Sequence, residues 1–325
     1  MFSAYKKYFL KQKMMRSVML ALLPIIIFSV YNFGWKALAL LVFNIFVALI
    51  VEFICEKNLY KKNKISEAAI ITASLYTMTL PVSIPFWMSG LGIAFGLFFG
   101  KEVFGGFGKN VFNPALVGRV FIYVNFPVPL TIHWNEAAKG LSSFTRWVNP
   151  AIDAVSTATP MLAFKNAGET GNLFNLFLGN IPGAIGETSK LLIILAAIYL
   201  IWKKVASKEI ILSTVIGFLV TSLFFNLIGA KSVPNPLFGL MTGGFLFGAV
   251  FMATDPISAP KTNEAKIFYG LIIGMVAVII RGFALFSEGM MFAVLIGNIF
   301  APIMDYVVRS RKKSKKLKKQ EEAAK

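Results

Sequence analysis

Asp153-Ala154-Val155-Ser156-Thr157-Ala158-Thr159-Pro160 groups three hydroxyls and a carboxylate in a long polar insert of an otherwise strongly apolar chain. Hydroxyls beside an acid can accept a phosphoester, and such a bond could hold a phosphate-bearing cofactor just outside a bilayer. A second polar knot runs from Lys101-Glu102-Val103-Phe104-Gly105-Gly106-Phe107-Gly108-Lys109-Asn110 to Asn113-Pro114-Ala115 and Arg119. Gly-rich backbone before a Pro-started helix presents free N–H groups, and Lys109 and Arg119 beside it favour an anion or an electron-rich ring. The third knot is Met252-Ala253-Thr254-Asp255-Pro256-Ile257-Ser258-Ala259-Pro260. Its prolines break a helix and free carbonyls, and a carboxylate such as Asp255 at membrane depth is a functional candidate. Taken alone, the second and third knots read equally as cytoplasmic turns. Glu52, Asn44, Asn226 and Asn298 lie nearer the middles of apolar runs, where they serve either an ion path or hydrogen bonds between helices.

The elements that must position these groups follow from composition. With 57% hydrophobic and 15% charged residues over 325 positions and a mean hydropathy of +0.70, the chain belongs in a membrane. One Cys (Cys55) and one His (His133) exclude an internal disulfide, a zinc or thiolate cluster site and bis-His haem ligation, so the sequence assigns no metal and any redox centre it carries is organic. About ten runs are long enough to cross the hydrocarbon core: 17–34, 36–56, 67–86, 88–104, 112–130, 188–203, 209–229, 237–253, 266–286 and 288–308. The third is interrupted by Thr72, Ser74, Thr77 and Thr79 and stops at Pro81, which reads as a broken or re-entrant segment. The first is no signal peptide, since another apolar run follows it with no small-residue cleavage site between.

Charge sets the topology. Of the 33 Lys and Arg residues, 25 fall in segments that alternate spans place on one side, seven on the other, and Arg119 lies inside a span. The excess marks the cytoplasmic side and places both termini there. The expected division is therefore a cytoplasmic N-terminus (1–16), five spans (17–130), an extracytoplasmic insert (131–187), five more spans (188–308) and a basic cytoplasmic tail (309–325). The net charge of +18 comes largely from the ends and reads as a topology signal with a lipid-facing tail, not as nucleic-acid binding. Five spans on either side of an outer insert put the halves in opposite orientation, as in inverted-repeat transporters. Phe95-Gly96-Leu97-Phe98-Phe99 before Asn113-Pro114 and Phe247-Gly248-Ala249-Val250-Phe251 before Asp255-Pro256 give a weak matching signal, although such motifs are common in Phe- and Gly-rich helices.

Residues 105–119, 153–160, 178–189, 252–260 and 288–295 together resemble the RnfD/NqrB family, with five motifs in order over about Met14 to Tyr306. The resemblance implies an all-α polytopic fold similar to urea and ammonium transporters, in a multisubunit complex that couples electron transfer to Na⁺ or H⁺ pumping in a prokaryotic inner membrane. It implies FMN joined through its phosphate to a Thr of a Ser-Gly-Ala-Thr type motif by a flavin transferase. That motif falls on Ser156-Thr157-Ala158-Thr159, making Thr159 the flavin-bearing residue. Thr157 stands where Gly is frequent and is an alternative acceptor. Asp153 either helps the transferase or its metal, or caps a turn. The family also allows a second, non-covalent flavin (riboflavin or FMN), with the knot from Gly105 to Arg119, including Lys109 and Asn113, and the turn Glu187-Thr188-Ser189 as candidate contacts. Asn113, Thr254 and Asp255 are the ion-path candidates.

Partners implied are the other subunits of an Rnf or Nqr complex, among them a second covalent-FMN subunit and iron–sulfur subunits. The short stretch before the first span favours an RnfD-like subunit of a ferredoxin:NAD⁺ oxidoreductase, whereas Lys101-Glu102-Val103-Phe104 and Glu288-Gly289-Met290-Met291 look closer to NqrB of the NADH:quinone reductase. The chain has no nicotinamide or iron–sulfur motif of its own and is not expected to catalyse alone. A reading of another class is a flavin-free channel or transporter for a small solute.

Overall fold

The computed structural model describes residues 9–61, 64–137, 147, 158–284, 286 and 288–323. Asp153, Ser156 and Thr157 lie outside the described residues. The chain opens with a two-residue strand β1 (Phe9–Leu10) that pairs in parallel with β2 (Ile65–Ser66). Between them run two long helices, α1 (Lys13–Phe33) and α2 (Trp35–Tyr60), divided by Gly34, whose φ of 80° no side-chain-bearing residue adopts easily.

Helix α3 (Glu67–Met78) stops short because Pro81 and Pro85 cannot continue its hydrogen bonds, and the chain turns helical again only at α4 (Phe86–Leu97). Helix α4 runs straight into a π-helical turn, Phe98–Glu102. Asn113 then caps α5 (Pro114–Asn125): its carboxamide oxygen accepts from Ala115 N and Leu116 N, and Pro114 needs no partner at the first helical position. A short α6 (Pro127–Thr131) follows. The insert contributes α7 (Pro160–Ala167), capped by Thr159, and α8 (Leu173–Leu178), capped by Asn172.

The remainder is α9 (Lys190–Trp202), α10 (Lys208–Leu227), α11 (Pro236–Met241), the single turn α12 (Phe245–Phe247), a second π-helical turn at Gly248–Met252, α13 (Asn263–Phe283) and α14 (Met290–Ala323). Helix α2 packs on α4 and α4 on α5; likewise α10 packs on α13 and α13 on α14. Small residues allow these approaches. A Cβ on Gly96 would strike the Pro114 carbonyl and Gly118, and one on Gly274 would strike α10 at Thr214 and Phe218.

Large apolar side chains such as Leu20, Val42, Phe46, Val220 and Phe268 point outward, while Glu52, Lys101, Arg119 and Arg281 are buried. A soluble fold does the reverse, so the chain is a multi-pass membrane protein. Among the described residues α1, α2, α10, α13 and α14 are long and apolar enough to cross a bilayer, and α9 is a shorter apolar helix. The expected span at 67–86 is broken, as its interruptions and Pro81 foretell. That at 237–253 is also divided, into α11, α12 and the π turn, where the sequence reading has one helix.

Candidate functional site

Two cavities lie within the bundle. The first, about 70 Å³, is lined by Lys101, Asn110, Asn113, Thr254 and Asp255 together with Phe251 and residues of α1, α3 and α9. The second, about 10 Å³, has room for roughly one water and is lined by Thr79, Arg119, Glu187, Arg281 and Glu288 with Phe247 and Met252. Asn113 and Met252 separate them. Asn113 Nδ2 donates to the Met252 carbonyl at 3.3 Å, and Asn113 N donates to Asn298 Oδ1 at 3.2 Å. Asn298 is fixed in turn, since its Nδ2 donates to the Tyr269 hydroxyl at 2.8 Å and to the Ser258 carbonyl. The structure thus joins the start of α5, the second π turn and α14 through one carboxamide pair.

The three ion-path candidates share the first cavity. Thr254 back-bonds to Val250 O at 2.5 Å, which leaves its hydroxyl oxygen free to accept. Asp255 accepts from Ile257 N at 3.2 Å and from Ser258 Oγ at 2.8 Å. Oxygen ligands of this kind suit a hard monovalent ion or a proton.

Arg119 and Glu187, candidates from separate motifs, form an ion pair of 3.0 Å at the second cavity, and Arg119 also pairs with Glu288. Lys190 donates to the carbonyls of Glu187 and Gly243. Gly243 and Gly244 make the space: a Cβ on Gly244 would collide with the Glu187 carboxylate, and one on Gly243 would lie 3.0 Å from Arg281 Nη2. Arg281 donates to the Gly239 carbonyl at 2.9 Å and lies 5.9 and 5.8 Å from the centroids of the paired Phe218 and Phe245 rings. Sequence reasoning passed over Glu288, Lys190 and Arg281. Their signal was available, since an ionisable residue in an apolar run marks function or a partner by default.

Other candidates lie apart. Thr188 is buried beside Glu187 and lines neither cavity, and Lys109 is exposed on its loop. Both cavities are smaller than the several hundred Å³ of an open cofactor pocket. Asn44 and Asn226 hold helices and turns together. Asn44 bridges Thr77 and Ser89, and Asn226 donates to the carbonyls of Ser222, Val233 and Pro234.

Thr159 is half-buried at the N-cap of α7, where its Oγ1 accepts from Leu162 N at 3.3 Å, and Ala158 before it is exposed. Helix α7 is held down along its length. Met161 meets Thr242, the Phe164 ring packs on Phe238, and Lys165 Nζ donates to the carbonyls of Ala284 and Phe286 at 2.8 and 2.7 Å. Burial, with Arg281 nearby, holds the Lys165 ammonium below the ordinary lysine range. Through those carbonyls α7 is tied to the segment that leads into Glu288. Among the described residues no hydrogen bond or ion pair joins Thr159 itself to Arg119 or Glu187. A phosphate ester is compatible with Thr159, because the residue is only half-buried and a helix N-terminus favours negative charge.

Comparison with known proteins adds an independent line. The sequence profile of the NQR2, RnfD, RnfE family matches residues 6–314. The chain is 40% identical over 263 residues to the NqrB subunit of the Na(+)-translocating NADH-quinone reductase of Yersinia pestis, covering 77% of this chain and 61% of that protein. Similar matches are the same subunit from Chromohalobacter salexigens, 40% over 253 residues (75% and 59%), and from Azotobacter vinelandii, 41% over 261 residues (76% and 61%). The chain spans about three fifths of the length of these curated relatives.

Proposed function

Since the chain belongs to the NQR2, RnfD, RnfE family, we propose that it is the flavin-carrying, ion-conducting membrane subunit of a Na⁺- or H⁺-translocating oxidoreductase complex. The observation that carries this reading is the likeness over three quarters of the chain to subunits named for Na⁺-translocating quinone reduction. An anchored, half-buried Thr159 stands beside it. FMN esterified to Thr159, with Ser156, Thr157 and Asp153 around it, would supply one-electron transfer between partner carriers. The chain's own part is to fix that residue at the outer end through α7, bind its neighbours through Lys165, and leave electron entry and exit to other subunits. The relatives named above are of the NADH:quinone type, so that assignment is put forward; the Rnf-type assignment shares the same chemistry.

The fold reading that accompanies this is a pair of inverted five-helix repeats around the 131–187 insert, with both termini cytoplasmic. Support comes from a heptapeptide register better than the Phe-Gly match. Thr79-Leu80-Pro81-Val82-Ser83-Ile84-Pro85 ends α3, and Thr254-Asp255-Pro256-Ile257-Ser258-Ala259-Pro260 ends the second π turn. The paired packing of α2, α4 and α5 against that of α10, α13 and α14 agrees with it. Half-helices ending at such breaks are the usual ion sites of inverted-repeat proteins. An ion would leave the first cavity at Asn113, Thr254 and Asp255 and pass the Asn113–Met252 barrier toward Arg119, Glu187 and Glu288. Charge added at the outer end acts on that buried ion cluster strongly, because little water screens it.

The test is flavin fluorescence of the denatured subunit after co-expression with a flavin transferase. Wild type is expected to fluoresce, Thr159→Ala to lose all signal and Thr157→Ala to keep it. Retained fluorescence in Thr159→Ala would overturn the site, and a dark wild-type band would favour a flavin-free channel. Deletion that abolishes NADH-dependent quinone reduction and spares ferredoxin-dependent NAD⁺ reduction supports the quinone-type complex; the opposite result supports the Rnf type.

A further inference from the structure

Beside Lys101 three carboxylates converge. Glu52 and Glu56 lie one turn apart on α2, and Glu102 closes the first π turn; one oxygen from each lies within 4.8 Å of the others. Their exposures are 0%, 6% and 0%. Glu52 is the best tied of the three: Oε1 accepts from Ser66 N at 2.9 Å and Ser66 Oγ at 2.5 Å, and Oε2 accepts no hydrogen bond among the described residues but lies 2.8 Å from Lys101 Nζ as an ion pair. Lys101 Nζ reaches Glu102 Oε1 only at 3.6 Å and donates instead to Ser66 Oγ at 2.9 Å.

The other two carboxylates are left open. Glu56 Oε2 and both Glu102 carboxylate oxygens are buried, and none accepts a hydrogen bond among the described residues. Gly106 keeps the space in front of them clear. At its φ of +81° a Cβ would come within 2.9 Å of Glu56 Oε1 and 3.7 Å of Glu102 Oε2. Three carboxylates and one ammonium leave a formal charge of −2 in a dry site. An uncompensated buried charge of that size costs several kcal/mol per ion, and one divalent cation cancels it.

We propose that Glu52, Glu56 and Glu102 form a binding site for a hard divalent cation, with Glu56 and Glu102 as direct ligands and Lys101 holding Glu52 in place. All donors are carboxylate oxygens, which select calcium-like ions over zinc or copper. Because it uses neither Thr159 nor the second cavity, it stands whether or not the chain carries flavin.

The full chain, purified in detergent and stripped with a chelator, is dialysed to equilibrium against radioactive calcium in a potassium buffer. One saturable calcium per chain is expected, with affinity lowered at least about tenfold in Glu56→Gln and in Glu102→Gln. Glu264→Gln, which changes an exposed carboxylate paired with Lys312, should leave binding unchanged. Calcium should also raise the thermal unfolding midpoint of wild type more than that of Glu56→Gln, a readout that survives if Glu102→Gln does not fold. Absence of saturable binding, wild-type affinity in both Gln variants, or displacement of calcium when sodium replaces potassium at constant ionic strength would overturn the proposal.

Discussion

The breaks at Thr79–Pro85 and Thr254–Pro260 share four residues in seven and differ where it matters most. Leu80 occupies the position of Asp255. In the first break Leu80 is fully buried, its carbonyl accepts from Ile185 N at 2.9 Å, and Ser83 Oγ donates to the His133 carbonyl at 2.5 Å. In the second, Ser258 turns inward to Asp255, and the carboxylate lines a cavity. Both threonines back-bond to their own helices, Thr79 to Tyr76 O and Thr254 to Val250 O. One backbone device therefore serves two ends: with Leu it anchors the 179–189 loop, and with Asp it presents an acid.

Exchanging the odd residue tests this comparison most severely. Leu80→Asp buries a carboxylate without a donor and is expected to cost several kcal/mol, read as loss of monodisperse protein in detergent. Asp255→Leu removes the acceptor of Ile257 N and Ser258 Oγ, at about 2 kcal/mol, while abolishing ion transport in reconstituted vesicles and sparing flavin attachment. Asn113→Ala strips the α5 cap at about 1 kcal/mol and, by opening the way between the cavities, should raise passive ion leak. Smallest is Ser83→Ala, about 0.5–1 kcal/mol from one hydrogen bond, seen as a minor fall in unfolding midpoint with transport intact. If Leu80→Asp were tolerated and Asp255→Leu still transported, the two breaks would be interchangeable.

Hydropathy was enough to find α1, α2, α10, α13 and α14, because each is a long apolar run whose pattern needs no partner to be recognised. It failed at 237–253. There the residues are as apolar as elsewhere, and the division into α11, α12 and a π turn follows from Gly243–Gly244 making room for Arg281 and Glu187, contacts from distant sequence. The same cause hid the site. Arg119 and Glu187 stood out separately as polar residues in motifs, but their pairing joins positions 68 apart. Glu288, inside a quoted motif, gained a role only when Arg119 was found against it. The triad of Glu52, Glu56 and Glu102 was half visible, as two acids one helical turn apart in an apolar run.

Each π turn adds a residue to a helical turn, so that everything beyond it is rotated by about 100° relative to an uninterrupted α-helix. At Phe98–Glu102 this lets Phe98 and Phe99 face outward while the next residues but one, Lys101 and Glu102, face the interior. The sequence periodicity of α4 therefore changes phase at the turn. A chain with one residue fewer there would keep its helix and its hydrophobicity, yet would swing Lys101 away from Glu52: a mutation invisible to composition that resets which side of the helix is chemical.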